Sequence, residues 1–450
     1  MAKKQSWKKT TTPRAESKPE AKAPAARRDT EASPARWAAL LALMKMPVAT
    51  APGLDVLVAE AAEKRGCSPE DAALARELAF TVTRNRLWLD HVLNGFLKEP
   101  IAEKAPRVHE ALLVGLAQLI YLDRVPNHAA VDETVRLAAA QPEGGRLRGL
   151  ANAIMRRAAG MDAATLRPGT ETPWKLRSSV PDYLASEVGF VLAEEELPDF
   201  FAASNEQAPL CLRFRGALRE DSEKGMALLR DTFEGAETRG GKLVSECVVV
   251  EGRKINPASL AEFQRGLMTV EDEGAQAACL LASAGTEPRR ILDLCAAPGG
   301  KTAQLADIYP EAEITACDIS KRKLALLRET LDRLSLSDRV AVKEAKEVVG
   351  GAESEEEFDF VLVDAPCSGW GTLRRHPEVR FRRGVKDVNK LAEKQGMLLD
   401  AAAKLCAPGG LIGYVTCTIS EAEGEGVVAD FLKRHEGFAL DENLGEVGPQ

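Results

Sequence analysis

The stretch that most constrains this chain is Ile291 to Thr302, ILDLCAAPGGKT. Ile291, Leu292 and Leu294 read as a buried strand, followed by a turn into a helix led by Lys301, Thr302, Ala303 and Gln304. At Ala296, Ala297, Gly299 and Gly300 little or no side chain intervenes, so the backbone can bend sharply and approach a ligand, as a nucleotide pocket requires. A Gly-rich turn by itself also fits a plain tight turn. The neighbouring elements decide between the two.

From Val270 onward strands and helices alternate. Glu273 to Ala284 reads as a helix, Ile291 to Leu294 as a strand, Lys301 to Ile308 as a helix, Glu313 to Ala316 as a strand and Lys321 to Leu334 as a helix. Phe358 to Val363 is an almost continuous apolar run, as a strand covered on both faces requires. The next helix carries Leu391, Leu398, Ala402 and Leu405 on one face and stops at Pro408, Gly409 and Gly410, before a strand from Leu411 to Val415. This order predicts an α/β fold with a doubly wound parallel sheet over 271–450.

Ligands of such a sheet collect beyond the carboxyl ends of its strands. Asp318 follows the second strand, Asp364, Pro366 and Cys367 follow the FDFVLV strand, and Cys417 follows LIGYV. A lone carboxylate there is commonly a helix cap and a lone Cys a small buried hydrophobe. Reactive residues at several strand ends point instead to a shared site.

Upstream, residues 1–36 hold ten Lys and Arg against four acids and little to bury, which predicts a disordered basic tail. The chain's formal charge is −8, so the remainder stands at −14 and a polyanion partner must be held by local patches. Residues 37–165 have helical periodicity: Ser68 caps a helix opening with Pro69, and Leu74, Leu78 and Val82 line one of its faces. Arg146, Arg148, Arg156 and Arg157 near the end of this domain are candidate phosphate contacts or simply solvated side chains. Residues 171–270, with strands at Cys211 to Arg215, Leu243 to Val250 and Gly266 to Val270, read as a small α+β subdomain. Nine cysteines without framework spacing fit a reducing, cytoplasmic setting, five scattered histidines give no metal cluster, and no apolar run reaches the length of a membrane span. No heptad or repeat demands an oligomer, so a monomer is expected.

Two thiols and a carboxylate on one rim have a coherent use. Carbon 5 of a pyrimidine is too electron-poor to take a methyl group from a sulfonium donor unless a nucleophile first adds at carbon 6, and a thiolate suits that step. An acid beside the ring nitrogen stabilises the charge so created. A second group near the first thiol helps its final expulsion.

HEALLVGLAQLIYLDRVPNHAAVDETVRLA and GLANAIMRR resemble the NusB-like RNA-binding helical domain. DLCAAPGGKT, ACDIS, VDAPCSGWGTLRRHPEVR and YVTCT, in this order, resemble the Nol/Nop/Sun family of RNA cytosine-5 methyltransferases, in its Sun or Fmu subgroup. The resemblance implies a Rossmann-like class I methyltransferase sheet and transfer of a methyl group from S-adenosylmethionine to a cytosine of 16S ribosomal RNA. It implies that Cys295, Ala296, Ala297, Pro298, Gly299, Gly300 and Lys301 cradle the cofactor and that Asp318 binds its ribose. Asp364 would face both cytosine and methyl donor, Cys417 would be the nucleophile and Cys367 would assist release. Cys295 and Cys317 also read as packing residues. Arg374, Arg375, His376, Arg380, Arg382 and Arg383 form a basic strip, read as RNA-phosphate contacts on a single-stranded or flipped-out substrate.

This sequence departs from the family pattern in three places. The acid usual after the third strand is missing from VAVKEAKEV, where Glu344 or Glu347 could replace it; TCS is TCT; and the closing Asp-Gly-Phe-Phe strand has no counterpart before LGEVGPQ, so either the sequence is truncated or the sheet lacks its last strand. Competing readings are an enzyme acting on another RNA, a DNA-type enzyme with Cys367 as nucleophile, and a non-catalytic RNA-binding ribosome assembly factor on the same fold, for which two rim thiols have no use. APGGK in place of GxGxxG disfavours a nicotinamide dehydrogenase.

Overall fold

The computed structural model describes residues 32–252, 255–349 and 357–441. Most of the basic tail and the terminal LGEVGPQ lie outside the described residues.

The first domain is built around the helix Pro106–Tyr121, buried continuously from Val108 to Ile120. A helix apolar on every side must be surrounded. The helices Pro34–Lys45, Pro69–Arg84, Arg86–Gly95, Asn127–Ala139 and Gly144–Ala159 pack around it in one core. Ser68 caps as its sequence position requires, its hydroxyl accepting from the Asp71 N–H at 3.1 Å. The helical region starts earlier than residue 37: Pro34 opens the first helix, and Arg36 is buried, donating to Gln118 at 2.8 Å.

Residues 171–270 divide into two packing units. The helices Trp174–Arg177, Asp182–Val188 and Leu197–Asn205 place Leu184, Val188 and Phe201 against Trp370, Leu373 and Val388 of the following domain. After them comes an antiparallel sheet of β1 (Leu210–Phe214), β2 (Glu237–Gly240), β3 (Cys247–Glu251) and β4 (Met268–Val270), in the order β2-β3-β1-β4. The expected strand from Leu243 begins at Cys247, after a turn. β2 is not foreseen from the sequence because it is a mostly exposed edge strand, ETRG, without an apolar face.

The last domain is a parallel sheet of β5 (Arg290–Asp293), β6 (Glu313–Asp318), β7 (Val340–Glu344), β8 (Phe358–Asp364) and β9 (Cys406–Val415), ordered β7-β6-β5-β8-β9. The order reverses at β5, so a crevice opens beyond the ends of β5 and β8. β8 is buried from Phe360 to Val363. The helix Val385–Leu405 ends before Pro408, and β9 begins at Cys406, which pairs with Phe358. The register then shifts before Leu411 meets Phe360, with Gly409 at φ +79° between them. β9 thus starts earlier than the expected Leu411, because its bulge carries Pro and Gly, which otherwise signal a break.

Candidate active site

The turn after β5 runs from Cys295 to the helix Gly300–Ile308. Gly299 has φ +110°, and a Cβ there would come within 2.7 Å of Leu327 Cδ1. The glycine is therefore needed for the left-handed turn and for packing on the neighbouring helix, in addition to any approach of a ligand. Beneath the turn Asp293 is fully buried and accepts from the Thr302 hydroxyl at 2.6 Å. Burial pushes its carboxyl up to about 7. The sequence alone does not single out Asp293, because a residue inside a strand gives no signal until its surroundings are known.

The tips of the other strands converge on this turn. Asp318 is almost fully buried, its carboxylate accepting from the Ser320 N–H at 3.0 Å and lying 3.5 Å from Lys323 Nζ. Glu344 is paired with Asp318 in the parallel register and carries Lys321 at 3.2 Å and Lys346 at 2.9 Å. Glu347 belongs to the helix Ala345–Val349 and is exposed. Of the two candidates for the third-strand acid, only Glu344 stands at a strand tip. Asp364 at the end of β8 accepts from Lys301 Nζ at 2.8 Å. Burial pulls the Lys301 ammonium down, but Asp364 more than offsets this and holds it above its ordinary value.

Beyond β8 and β9 the two thiols meet, with Cys367 Sγ 3.2 Å from Cys417 Sγ. Cys367 is buried and Cys417 is exposed. The Cys367 hydrogen bond, aided by Lys301, draws the Cys417 thiol down to about 7 against the Asp364 charge. The shared proton and burial push Cys367 up. Burial also pushes Cys295 up to about 12 and raises Cys317, whose thiol donates to the Leu294 carbonyl.

Hydrogen bonds from residues inside and outside the quoted motifs hold this pair. The Ser368 and Thr418 hydroxyls are 2.7 Å apart, so Thr in TCT still supplies the hydroxyl that ties one thiol loop to the other. Buried Glu423 accepts from the Ser368 N–H at 2.8 Å and from Gln395 Nε2 at 3.0 Å. The Gly371 N–H donates to the Cys417 carbonyl at 3.0 Å, and a Cβ at Gly371 would sit 2.9 Å from that oxygen. Glu423 and Gln395 lie in helical segments whose facing the sequence alone does not fix.

The basic strip is divided in use. Arg380 is fully buried and donates to the carbonyls of Ser178 and Ser179, so it is no surface phosphate contact. Arg382 donates to the carbonyls of Met46, Ala51 and Pro52, fastening the helical domain, and Arg383 donates to the Cys367 carbonyl. An arginine's five donors satisfy backbone carbonyls at a domain junction as readily as phosphates, which is why composition misleads at these three. Arg374, Arg375 and His376 open onto a cleft against the helical domain. Arg148 and Arg156 line a separate cavity of about 780 Å³ with Asn127 and His128, Arg146 is exposed, and Arg157 lies over the Phe96 ring.

The residues fit S-adenosylmethionine: a helix N-terminus and small-residue turn at the switch point, a buried carboxylate at the tip of β6 for a diol, and an acid beside it at the tip of β7. Among the described residues no group of His, Cys, Asp or Glu is placed to hold a metal ion, and no helix is long and apolar enough to cross a membrane.

A Rossmann-like sheet with this site, carried behind a NusB-like helical domain, defines an S-adenosylmethionine-dependent RNA methyltransferase. The model of the 16S rRNA methyltransferase RsmB/F family matches residues 278–447, and the model of the NusB family matches residues 33–160. The chain belongs to the 16S rRNA methyltransferase RsmB/F family. It is 33% identical over 382 residues to ribosomal RNA small subunit methyltransferase B of Sodalis glossinidius, covering 85% of this chain and 86% of that one. It is 31% identical over 392 residues to the protein of the same name from Erwinia tasmaniensis, with 85% and 86% covered. The crystal structure of PH0851 superposes with a TM-score of 0.71 at 22% identity, covering 89% of each chain, a likeness of fold.

Proposed function

We propose that this RNA methyltransferase modifies carbon 5 of a cytosine in 16S ribosomal RNA through a covalent bond between Cys417 and the base. The observation that carries the reading is the geometry of the thiol pair: Cys417 is exposed at the strand-end rim with its sulfur 3.2 Å from that of buried Cys367, and their hydrogen bond lowers the Cys417 thiol and raises the Cys367 thiol. The Cys417 thiolate adds to carbon 6, forming the S–C bond and sending the ring's π electrons toward carbon 5 and the ring nitrogen. Asp364 hydrogen-bonds the cytosine edge, with Lys301 fixing its orientation. Bound S-adenosylmethionine supplies an electrophilic methyl group. Loss of the carbon 5 proton to solvent water then returns an electron pair to the ring, re-forms the carbon 5–carbon 6 double bond and breaks the S–C bond, and the Cys367 S–H is positioned to donate a hydrogen bond to the departing Cys417 thiolate. Cys295 to Lys301, Asp318 and Glu344 hold the cofactor.

The reading with Cys367 as nucleophile is disfavoured by its burial beside the exposed Cys417, and a purely scaffolding role leaves two thiols in contact at the strand-end rim without use. The test is labelled methyl transfer to unmodified small-subunit ribosomal RNA, with nucleoside analysis of the product. Cys417→Ala should be inactive and form no adduct, and Cys367→Ala should accumulate a protein–RNA adduct. Activity retained in Cys417→Ala and abolished in Cys367→Ala would reverse the assignment, while wild-type product methylated elsewhere on the base would remove it.

A further inference from the structure

The helix Pro69–Arg84 of the helical domain faces the loop after β8, and between them lies a cleft of about 580 Å³. Arg76, Phe80 and Arg84 line one wall and Arg374, Arg375 and His376 the other, with the carboxylates of Asp55 and Glu77 also on the cleft. Two of these side chains are already engaged: Arg375 is paired with Asp272, and His376 stands 3.6 Å from Glu378. Arg84 and Arg374 are only partly used. Arg84 Nη2 donates to the Arg374 carbonyl at 3.0 Å and Arg374 pairs with Glu206 at 3.1 Å, yet the buried Nε of each arginine finds no acceptor. Among the described residues Arg76 has no hydrogen bond or ion pair; it is exposed, with its guanidinium 4.6 Å above the Phe80 ring. Burial and the like charges of Arg76 and Arg374 depress Arg84.

The unpaired Arg76 guanidinium and the two stranded Nε–H groups are donors that the carboxylates present do not reach, and an oxygen-rich anion entering the cleft would take them. The loop that forms one wall is bonded to the site, since the Gly371 N–H holds the Cys417 carbonyl, and the three residues from Gly371 to Arg374 span at most about 11 Å. We infer that this cleft seats a backbone phosphate of the RNA next to the target nucleotide, and that the helical domain contributes Arg76 and Arg84 to its binding. The inference rests on the proposed RNA substrate but not on which base atom is methylated.

The test measures equilibrium binding of unmodified small-subunit ribosomal RNA across salt concentrations, for wild type, Arg76→Ala and Arg76→Lys. Arg76→Ala removes one charge-assisted hydrogen bond to phosphate, which lowers affinity about tenfold and makes the slope of log K against log salt shallower by about 0.7. Arg76→Lys restores the slope, and thermal stability and S-adenosylmethionine binding match wild type in both variants. Unchanged RNA affinity and slope in Arg76→Ala would overturn the inference, as would an affinity decrease that appears only with lowered thermal stability. A methyl group found away from carbon 5 would instead defeat the proposed chemistry and leave this binding result standing.

Discussion

The Cys367 sulfur lies 3.2 Å from the Cys417 sulfur although fifty residues separate them in the chain. One proton between two thiols favours ionising the exposed member, and Lys301 adds to that preference. The rate of methyl transfer is therefore expected to rise with pH to a plateau above an apparent value of about 7. Replacing Cys367 with Ala removes the hydrogen bond and moves this rise upward, toward the ordinary thiol range. A single-turnover pH profile of adduct formation reads both values, and coincident profiles would show that the pair is not coupled.

Glu344 and Glu347 separate by geometry. Glu344 stands beside Asp318 at the strand tips, whereas Glu347 projects from a short exposed helix. Glu344→Ala is expected to weaken S-adenosylmethionine binding about tenfold, the worth of one charge-assisted hydrogen bond, and Glu347→Ala to leave it unchanged. Calorimetric titration of the two variants checks this; equal affinities would remove Glu344 from the pocket.

Arg380 is a structural residue. Burial lowers its guanidinium to about 10, yet its bonds to Ser178 and Ser179 hold the short helices against the catalytic domain. Arg380→Ala leaves these carbonyls unpaired and opens a cavity, so a decrease in stability of about 3 kcal/mol is expected. The salt slope of RNA binding should not change, because a buried Arg380 reaches no phosphate. A shallower slope with unaltered melting temperature would return Arg380 to the RNA surface.

Asp293 makes stability depend on pH in a direction unusual for a carboxylate. Its folded value, about 7, lies above the ordinary 3.8, so between those values the unfolded chain releases a proton that the folded chain retains. Its contribution is full below about pH 4 and is lost as pH rises through about 7. Asp293→Asn, which keeps an acceptor for the Thr302 hydroxyl, should flatten this part of the curve. Denaturant midpoints measured from about pH 4 to 8 give the comparison; parallel curves would mean that Asp293 is ionised in the folded protein.

Much of the architecture is legible in the sequence because periodicity and turn chemistry are local. The apolar run at Phe358, the small residues before Lys301 and the Ser68-Pro69 start declare their conformation from their own side chains. The rule that ligands gather at strand ends then puts Asp318, Asp364, Cys367 and Cys417 on one rim without any coordinates. β2 and the bulged start of β9 are hidden for the same reason: polar edge residues and a Pro-Gly bulge give no periodic signal.

What the sequence determined by itself is the order of elements, the chemistry at the strand tips and the family to which they belong. Tertiary structure alone decided which thiol is exposed, which of two glutamates stands beside Asp318, and which arginines of one short segment are buried at domain junctions while others face a cleft. These outcomes depend on burial, partners and charge from residues far apart in the chain. A guanidinium has the same formula whether it meets a carbonyl of Ser178 or opens toward solvent, and only packing distinguishes the two.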